Sequence, residues 1–421
     1  MKDTIKYLVW IFAIVPFLIA CGDSNTDDAP TDDFDVRFEL PATVDVAKGG
    51  ELTFTVKEGK SPLTTDSFLL EGGGISYLCP ILRTSSESFT VRLADECESG
   101  SYTAYLKRDA RKKSIGKIYI NIVDKIDFEP SAGTTVFGLV SSEEGPVANV
   151  VVSDGTEVTV TDDKGIYELK SAKKWGYVFI SVPSGYEVAA EGVFPQFYQT
   201  LKGAADVVEQ KDFKLTKVDG QDRYKLFLLG DMHLANRTND IHQFENGFRA
   251  DLRKQIAQAK AEGVSLYAMA LGDLTWDEYW YKNSYQPSHY VRQMADLDIP
   301  IYNIPGNHDN DPYVADDFES ENPWRENLGP TYYSFDIGDI HYIQLDNTLF
   351  TNTGGAQGTV GKLDYTEGLT ADQLRWLEAD LQRIPAGKTV FVGMHIQFTN
   401  RYRIADGKLS WSYAMPADCR A

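Results

Sequence analysis

The run Lys225-Leu226-Phe227-Leu228-Leu229-Gly230-Asp231-Met232-His233 changes the character of the chain. An apolar block of strand length ends in glycine, and a carboxylate and an imidazole follow two positions apart. Such a run reads as a buried strand that delivers polar groups at its C-terminal end, with glycine allowing the sharp turn. The figure recurs downstream. Val264 to Leu271 leads into Gly272-Asp273, Ile299 to Ile304 leads into Gly306-Asn307-His308-Asp309, and a further apolar run ends in Gly393-Met394-His395. A helical stretch from Asp240 to Glu262 separates the first two. Alternation of strand and helix builds a layered α/β sheet with helices outside, and side chains at the strands' C-terminal ends then gather along one edge.

The gathered types are informative. Imidazole, carboxylate and amide oxygen together suit borderline dications such as zinc, iron and manganese, whereas calcium takes oxygen alone. A single Asp or Asn after a strand is ordinarily a turn cap. That reading accounts for any one of these segments but not for four in succession.

In this order and context, Asp-x-His, Gly-Asp, Gly-Asn-His-Asp and Gly-x-His resemble the first four motifs of the calcineurin-like metallophosphoesterase superfamily, over about Tyr224 to the end. The resemblance implies two divalent metal ions, with Asp231 and His233 on the first, Asp273 bridging both, and Asn307 with His395 on the second. It implies that His308 lies beside the substrate phosphoryl group as a proton donor, with Asp309 orienting it. It also implies hydrolysis of phosphate mono- or diesters by in-line attack of a metal-bridging hydroxide, with no covalent phospho-enzyme. One departure stands out: the family's fifth motif, Gly-His-x-His, has no counterpart, because no histidine occurs in the 26 residues after His395 (421 − 395). The expectation is a C-terminally incomplete domain in which each ion lacks a ligand. Two functions follow, a hydrolase or a cell-envelope binding lipoprotein with an inactive phosphoesterase scaffold. Stoichiometric metal with turnover would separate them.

Trp276, Tyr279, Trp280 and Tyr281 follow directly on Gly272-Asp273 and could wall a substrate pocket or simply pack the loop. His242, His289 and His341 stand singly and read as structural. Thr370-Ala371-Asp372-Gln373 looks like a capping box opening a helix whose apolar stripe is Leu374, Leu377, Leu381 and Ile384.

Working toward the N-terminus, residues 222–421 form the α/β region and 130–217 form a β segment. The Asp162-Asp163-Lys164-Gly165 turn of that segment resembles those of carboxypeptidase-regulatory-like sandwiches. Residues 34–125 show short alternating strands such as Glu51-Leu52-Thr53-Phe54-Thr55-Val56 and read as an Ig-like sandwich. The fold class is therefore multidomain, two all-β sandwich modules followed by an α/β metallophosphoesterase domain. Lys2 and Lys6, an apolar run to Ala20, and Leu18-Ile19-Ala20-Cys21 resemble a lipoprotein signal peptide over residues 1–20, with Cys21 lipidated and residues 21–33 as a tether. That places the protein in the cell envelope, membrane-anchored, facing periplasm or exterior. In such a compartment Cys79 and Cys97 are either a disulfide or two buried thiols. A net charge of −21, from 41 basic and 62 acidic residues, argues against a grip on nucleic-acid backbone. It also means that a phosphate-ester site must supply its positive charge locally.

Overall fold

The computed structural model describes residues 36–41, 43–123, 128–201, 204–353, 360–397, 399–405 and 408–414. Cys21, the leader and the tether lie outside the described residues. No helix among the described residues is long and apolar enough to cross a membrane.

The N-terminal region is strand-rich, and contacts divide the chain into two compact units. In the first, strands Val36–Phe38, Glu51–Gly59, Ser88–Arg92, Ile75–Thr84 and Ser67–Gly72 lie side by side in that order. Alternation does the folding: Leu52 and Phe54 are buried while Glu51, Thr53 and Thr55 face out. Phe54 sits 5.1 Å from Phe68 and 5.3 Å from Phe89, ring to ring, at the centre of that face. Of the two readings left open for Cys79 and Cys97, a disulfide or two buried thiols, the structure gives the second. Each sulfur lies near a main-chain carbonyl, Cys79 at 4.0 Å from Tyr77 O and Cys97 at 3.8 Å from Glu98 O. Both behave as the small, buried apolar side chains that reduced cysteines commonly are.

In the second unit the β segment after residue 134 shares one core with the α/β region. Val136, Val152, Tyr177 and Phe179 pack in the same buried cluster as Met269, Ile304, Ile343 and Trp376. Tyr332 donates to Gly155 O at 2.5 Å, and Asp336 N donates to Val182 O at 2.8 Å, so the two regions are also tied by hydrogen bonds. Asp162 forms the turn as expected of Asp-x-x-Gly: its Oδ1 accepts from Lys164 N at 2.8 Å and Ile166 N at 2.9 Å, and Gly165 takes φ +73°. The strands that it joins, Val158–Val160 and Ile166–Leu169, belong to different sheets.

The α/β region has two three-stranded sheets. Tyr224–Leu229, Ser265–Leu271 and Ile301–Ile304 are parallel neighbours in that order. Tyr333–Ile337 and Ile340–Leu345 form a hairpin, and Thr389–Met394 runs parallel to the second of these. The helix predicted over 240–262 carries a π turn at Phe244–Phe248 between Asp240–Gln243 and Arg249–Ala261. Thr370 caps the helix Ala371–Leu381, accepting from Gln373 N at 3.2 Å, but Gln373 does not complete the box. Its amide is bound instead to the main chain of Asp346, at 3.0 Å and 2.6 Å. The helix accordingly buries Gln373, Trp376 and Asp380, while Leu381 of the expected stripe is exposed. Leu374 and Leu377 of the stripe are partly buried against the core and share the inner face with these polar residues, and burial of Trp376 there stabilises the core by about 3 kcal/mol.

Candidate metal centre

Three of the segments leave the C-terminal ends of the parallel strands Tyr224–Leu229, Ser265–Leu271 and Ile301–Ile304, at one edge of that sheet, and His395 follows the parallel strand Thr389–Met394 of the other sheet. Backbone geometry finishes the approach. Asp231 (φ 53°), His233 (φ 47°) and Asp273 (φ 52°) all take the left-handed conformation. For non-glycine residues this costs roughly 1 kcal/mol or more each, a strain that persists only where the surroundings over-determine it. The two strand-end loops hold one another: Asp231 N donates to Gly272 O at 3.2 Å and His233 N to Asp273 O at 2.8 Å. Gly272 and Gly306 allow the closest contact. A Cβ at Gly306 would stand 2.3 Å from Asp273 Oδ1, and one at Gly272 would stand 2.7 Å from His395 Nδ1. Gly230 has no such crowding, and glycine there serves no close approach.

The side chains then converge. Asp273, buried, divides its carboxylate between two imidazoles: Oδ2 lies 3.4 Å from His233 Nε2, and Oδ1 lies 3.4 Å from His395 Nε2. Asp231 Oδ1 is 3.7 Å from the same His233 nitrogen, and Asn307 Oδ1 is 3.1 Å from His395 Nε2. His395 Nδ1 donates to Leu271 O at 2.8 Å, which leaves Nε2 as the coordinating atom. Two overlapping sets emerge, Asp231, Asp273 and His395, and His233, Asp273 and His308, each with donor atoms within 4.8 Å of one another. Donors held about 2.1 Å from one ion stand about 3.0 Å apart in octahedral and about 3.4 Å apart in tetrahedral geometry. The observed spacings match, so the residues present fit divalent metal.

The electrostatics agree. Burial pulls the His395 imidazole down, but the adjacent Asp273 carboxylate outweighs it and holds the ring at about 9. Burial raises Asp273, yet His395 and His308 together bring it below the usual carboxylate range. The field that draws a proton to His395 is the field that would draw a dication. His233 is pulled down by burial, and its Nδ1 is enclosed without a hydrogen-bond partner among the described residues.

His308 is held differently from the expectation. Its Nδ1 is 2.8 Å from Asp277 Oδ1, and Asp277 is buried. Burial lowers this imidazole, and the Asp277 bond reverses the effect and raises it overall. Asp309, expected to orient His308, instead braces the loops. It accepts from Leu274 N at 3.1 Å, Thr275 N at 2.9 Å, Thr275 Oγ1 at 2.8 Å and Gly306 N at 3.0 Å. Burial and the nearby Asp273 charge push its carboxyl up to about 6. The commitment of one carboxylate to four donors on two loop segments explains why it cannot also serve the imidazole.

The aromatic run divides. Trp276 lies beside the centre, its ring 5.2 Å from His233 and 5.5 Å from His308, and Tyr279 meets it edge-on at 5.4 Å. Trp280 is corrected: it is fully buried, with Nε1 donating to Thr275 Oγ1 at 2.8 Å, and it supports the loop from beneath. Tyr281 stacks on Tyr313. Asp277 and Arg237 were missed in the sequence. Arg237 lies with its guanidinium 4.3 Å over the Trp276 ring.

Strand ends that present imidazole, carboxylate and amide donors in overlapping sets define a layered α/β domain with a candidate metal centre at its edge. Residues 224–414 match the family described as calcineurin-like phosphoesterase, and residues 134–218 match the N-terminal domain of calcineurin-like phosphoesterase. A probable glycerophosphodiester phosphodiesterase GpdQ of Arcobacter nitrofigilis is 33% identical over 101 residues, 24% of this chain. The match spans only 32% of that relative's length. The chain belongs to the calcineurin-like metallophosphoesterase superfamily, whose members use divalent metals and act on phosphate esters. Among solved structures, Bacteroides ovatus SGBP-B of the mixed-linkage glucan utilization locus is similar at 10% identity and TM-score 0.19, over 41% of this chain and 43% of that one. The plexin A4 extracellular region is similar at 12% identity and TM-score 0.19, over 42% of this chain and 25% of that one. Likenesses this slight carry no argument.

Proposed function

We propose that the chain hydrolyses phosphate monoesters or diesters at a two-metal centre. The observation that carries this reading is the divided carboxylate of Asp273, one oxygen toward His233 and the other toward His395, each at 3.4 Å. Asp231, His233 and Asp273 would hold one ion, and Asp273, Asn307 and His395 the other. Bound dications supply positive charge for a phosphoryl group and make water acidic enough to act as a nucleophile near neutral pH. The chain's own residues do the rest. Asp277 fixes the proton on His308 Nδ1, so that a protonated ring has its Nε2–H available for the leaving oxygen. Trp276 lies against both His233 and His308 and limits how the imidazoles can turn.

The test is hydrolysis of p-nitrophenyl phosphate and bis-p-nitrophenyl phosphate by the full chain supplied with zinc or manganese, alongside Asp273→Ala. Loss of turnover and of bound metal together supports the reading. Turnover that survives Asp273→Ala overturns it.

We further propose that the protein works in the cell envelope, tethered through lipidated Cys21, because Lys2, Lys6 and the apolar run ending at Ala20 have the form of an export leader. Metabolic labelling with an alkyne fatty acid should mark the wild type and not Cys21→Ala. Equal labelling of both would reject the anchor.

A further inference from the structure

The rim of the centre carries positive charge that the metal scheme does not use. Arg237 lies with its guanidinium 4.3 Å from the Trp276 ring centroid and 5.5 Å from that of Tyr279. Lys282 Nζ lies 5.4 Å from the other aromatic partner, the Tyr279 ring. Trp276 in turn is packed against His233 and His308, so one indole separates Arg237 from the imidazoles, and Lys282 lies beyond it against Tyr279. Among the described residues neither Arg237 nor Lys282 has a carboxylate partner. In a chain with 62 acidic and 41 basic side chains, two uncommitted cations on one aromatic ridge beside a phosphoester site call for a reason.

The ridge is built rather than incidental. Arg237 and Lys282 come from different loops, and those loops are clamped by reciprocal amides. Asn283 Nδ2 donates to Ala235 O at 2.9 Å and to Asn236 O at 3.2 Å, while Asn236 Nδ2 donates to Asn283 O at 3.3 Å. Asn236 takes a left-handed conformation, φ 48°, to make this junction. Ala235 N is further pinned by Asp240 Oδ2 at 2.8 Å. Stacking on an aromatic face leaves the edge N–H groups of a guanidinium free to meet an anion in its own plane.

We propose that Arg237 and Lys282 receive a second anionic group on the alcohol part of the substrate, so that the preferred phosphate ester bears a carboxylate or another phosphate beyond the scissile bond. The proposal rests on the phosphoesterase reading and adds the substrate class to it. Arg237 is the principal specificity determinant, because its fork can hold two oxygens, and Lys282 adds charge farther out along the ridge.

A matched two-carbon series tests it with the full metal-supplemented chain: 2-hydroxyethyl phosphate, phosphoglycolate and 1,2-ethanediol bisphosphate. The wild type should favour one or both of the doubly anionic esters by about tenfold in kcat/KM, chiefly through KM, and the favoured one identifies the second anion. Arg237→Gln should collapse that ratio, Arg237→Lys should recover part of it, and Arg237→Glu should reverse it. A merely structural arginine would affect all three esters alike, so a ratio unchanged in Arg237→Gln overturns the proposal. Equal use of all three by the wild type does the same. If the wild type hydrolyses none of them, the phosphoesterase reading fails separately. Calorimetry with phosphoglycolate then decides the anion site: binding weakened in Arg237→Gln upholds it, and equal binding overturns it.

Discussion

His308 Nδ1 stands 2.8 Å from Oδ1 of Asp277, a buried carboxylate four residues after the shared ligand candidate Asp273. Main chain ties the same two loops together, since Asp277 N donates to His308 O at 3.0 Å. The imidazole is thereby fixed in orientation and tautomer.

Asp277→Asn should therefore lower kcat by about 10- to 100-fold while changing KM little. Because both residues act on one proton, Asp277→Asn combined with His308→Ala should be no slower than His308→Ala alone. Multiplicative losses in the double variant would show that Asp277 acts elsewhere.

The divided carboxylate makes a prediction about metal content. Removing Asp273 should cost both ions, whereas His233→Ala and His395→Ala should each lower the stoichiometry by about one. Elemental analysis by mass spectrometry after gel filtration reads this directly. Retention of full metal by Asp273→Ala would contradict the sharing inferred from its two 3.4 Å contacts.

Gly306→Ala should damage the centre more than the fold. Its methyl group would press on Asp273 Oδ1, which is held by a hydrogen bond from His308 N, and on Asp273 N at 2.4 Å. The expected outcome is lost metal affinity with a melting temperature lowered by the equivalent of about 1–3 kcal/mol. Unchanged metal titration curves would mean that the loops can relax.

A pH effect on stability is expected away from the centre, at buried His341. Its Nδ1 is 2.7 Å from Asp336 and its Nε2 is 2.9 Å from Asp380. Burial lowers this imidazole, but the two carboxylates raise it to about 9. A raised folded-state value means that the contribution is complete below the ordinary value near 6.5 and is lost as pH rises through about 9. The wild type should lose on the order of 2 kcal/mol more than His341→Gln between pH 6 and pH 10, as read by urea denaturation. Parallel pH profiles for the two proteins would refute it.

The order of strands and the residues that end them were legible in the sequence, because hydrophobic runs and glycine punctuation are local properties. Asp231, His233, Asp273, Asn307 and His395 could be picked out for that reason, and parallel strand direction brings the loops of the first four to one edge, whereas His395 arrives from a second sheet. What the sequence could not decide was which loops touch. Asp309 adjoins His308 in the chain yet accepts from three backbone N–H groups, while Asp277 reaches the imidazole only because its loop folds back over the strand ends. Trp276 and Trp280 look alike as a run, but a turn at Asp277–Tyr279 sends one to the cleft and the other into the core. On helix Ala371–Leu381 apolar periodicity found Leu374 and Leu377 but not the rest of the inner face, since buried Gln373 and Asp380 are tolerated there only through partners on Asp346, Ser334 and His341. Burial of a polar group depends on a partner distant in sequence, and only the tertiary structure supplies it.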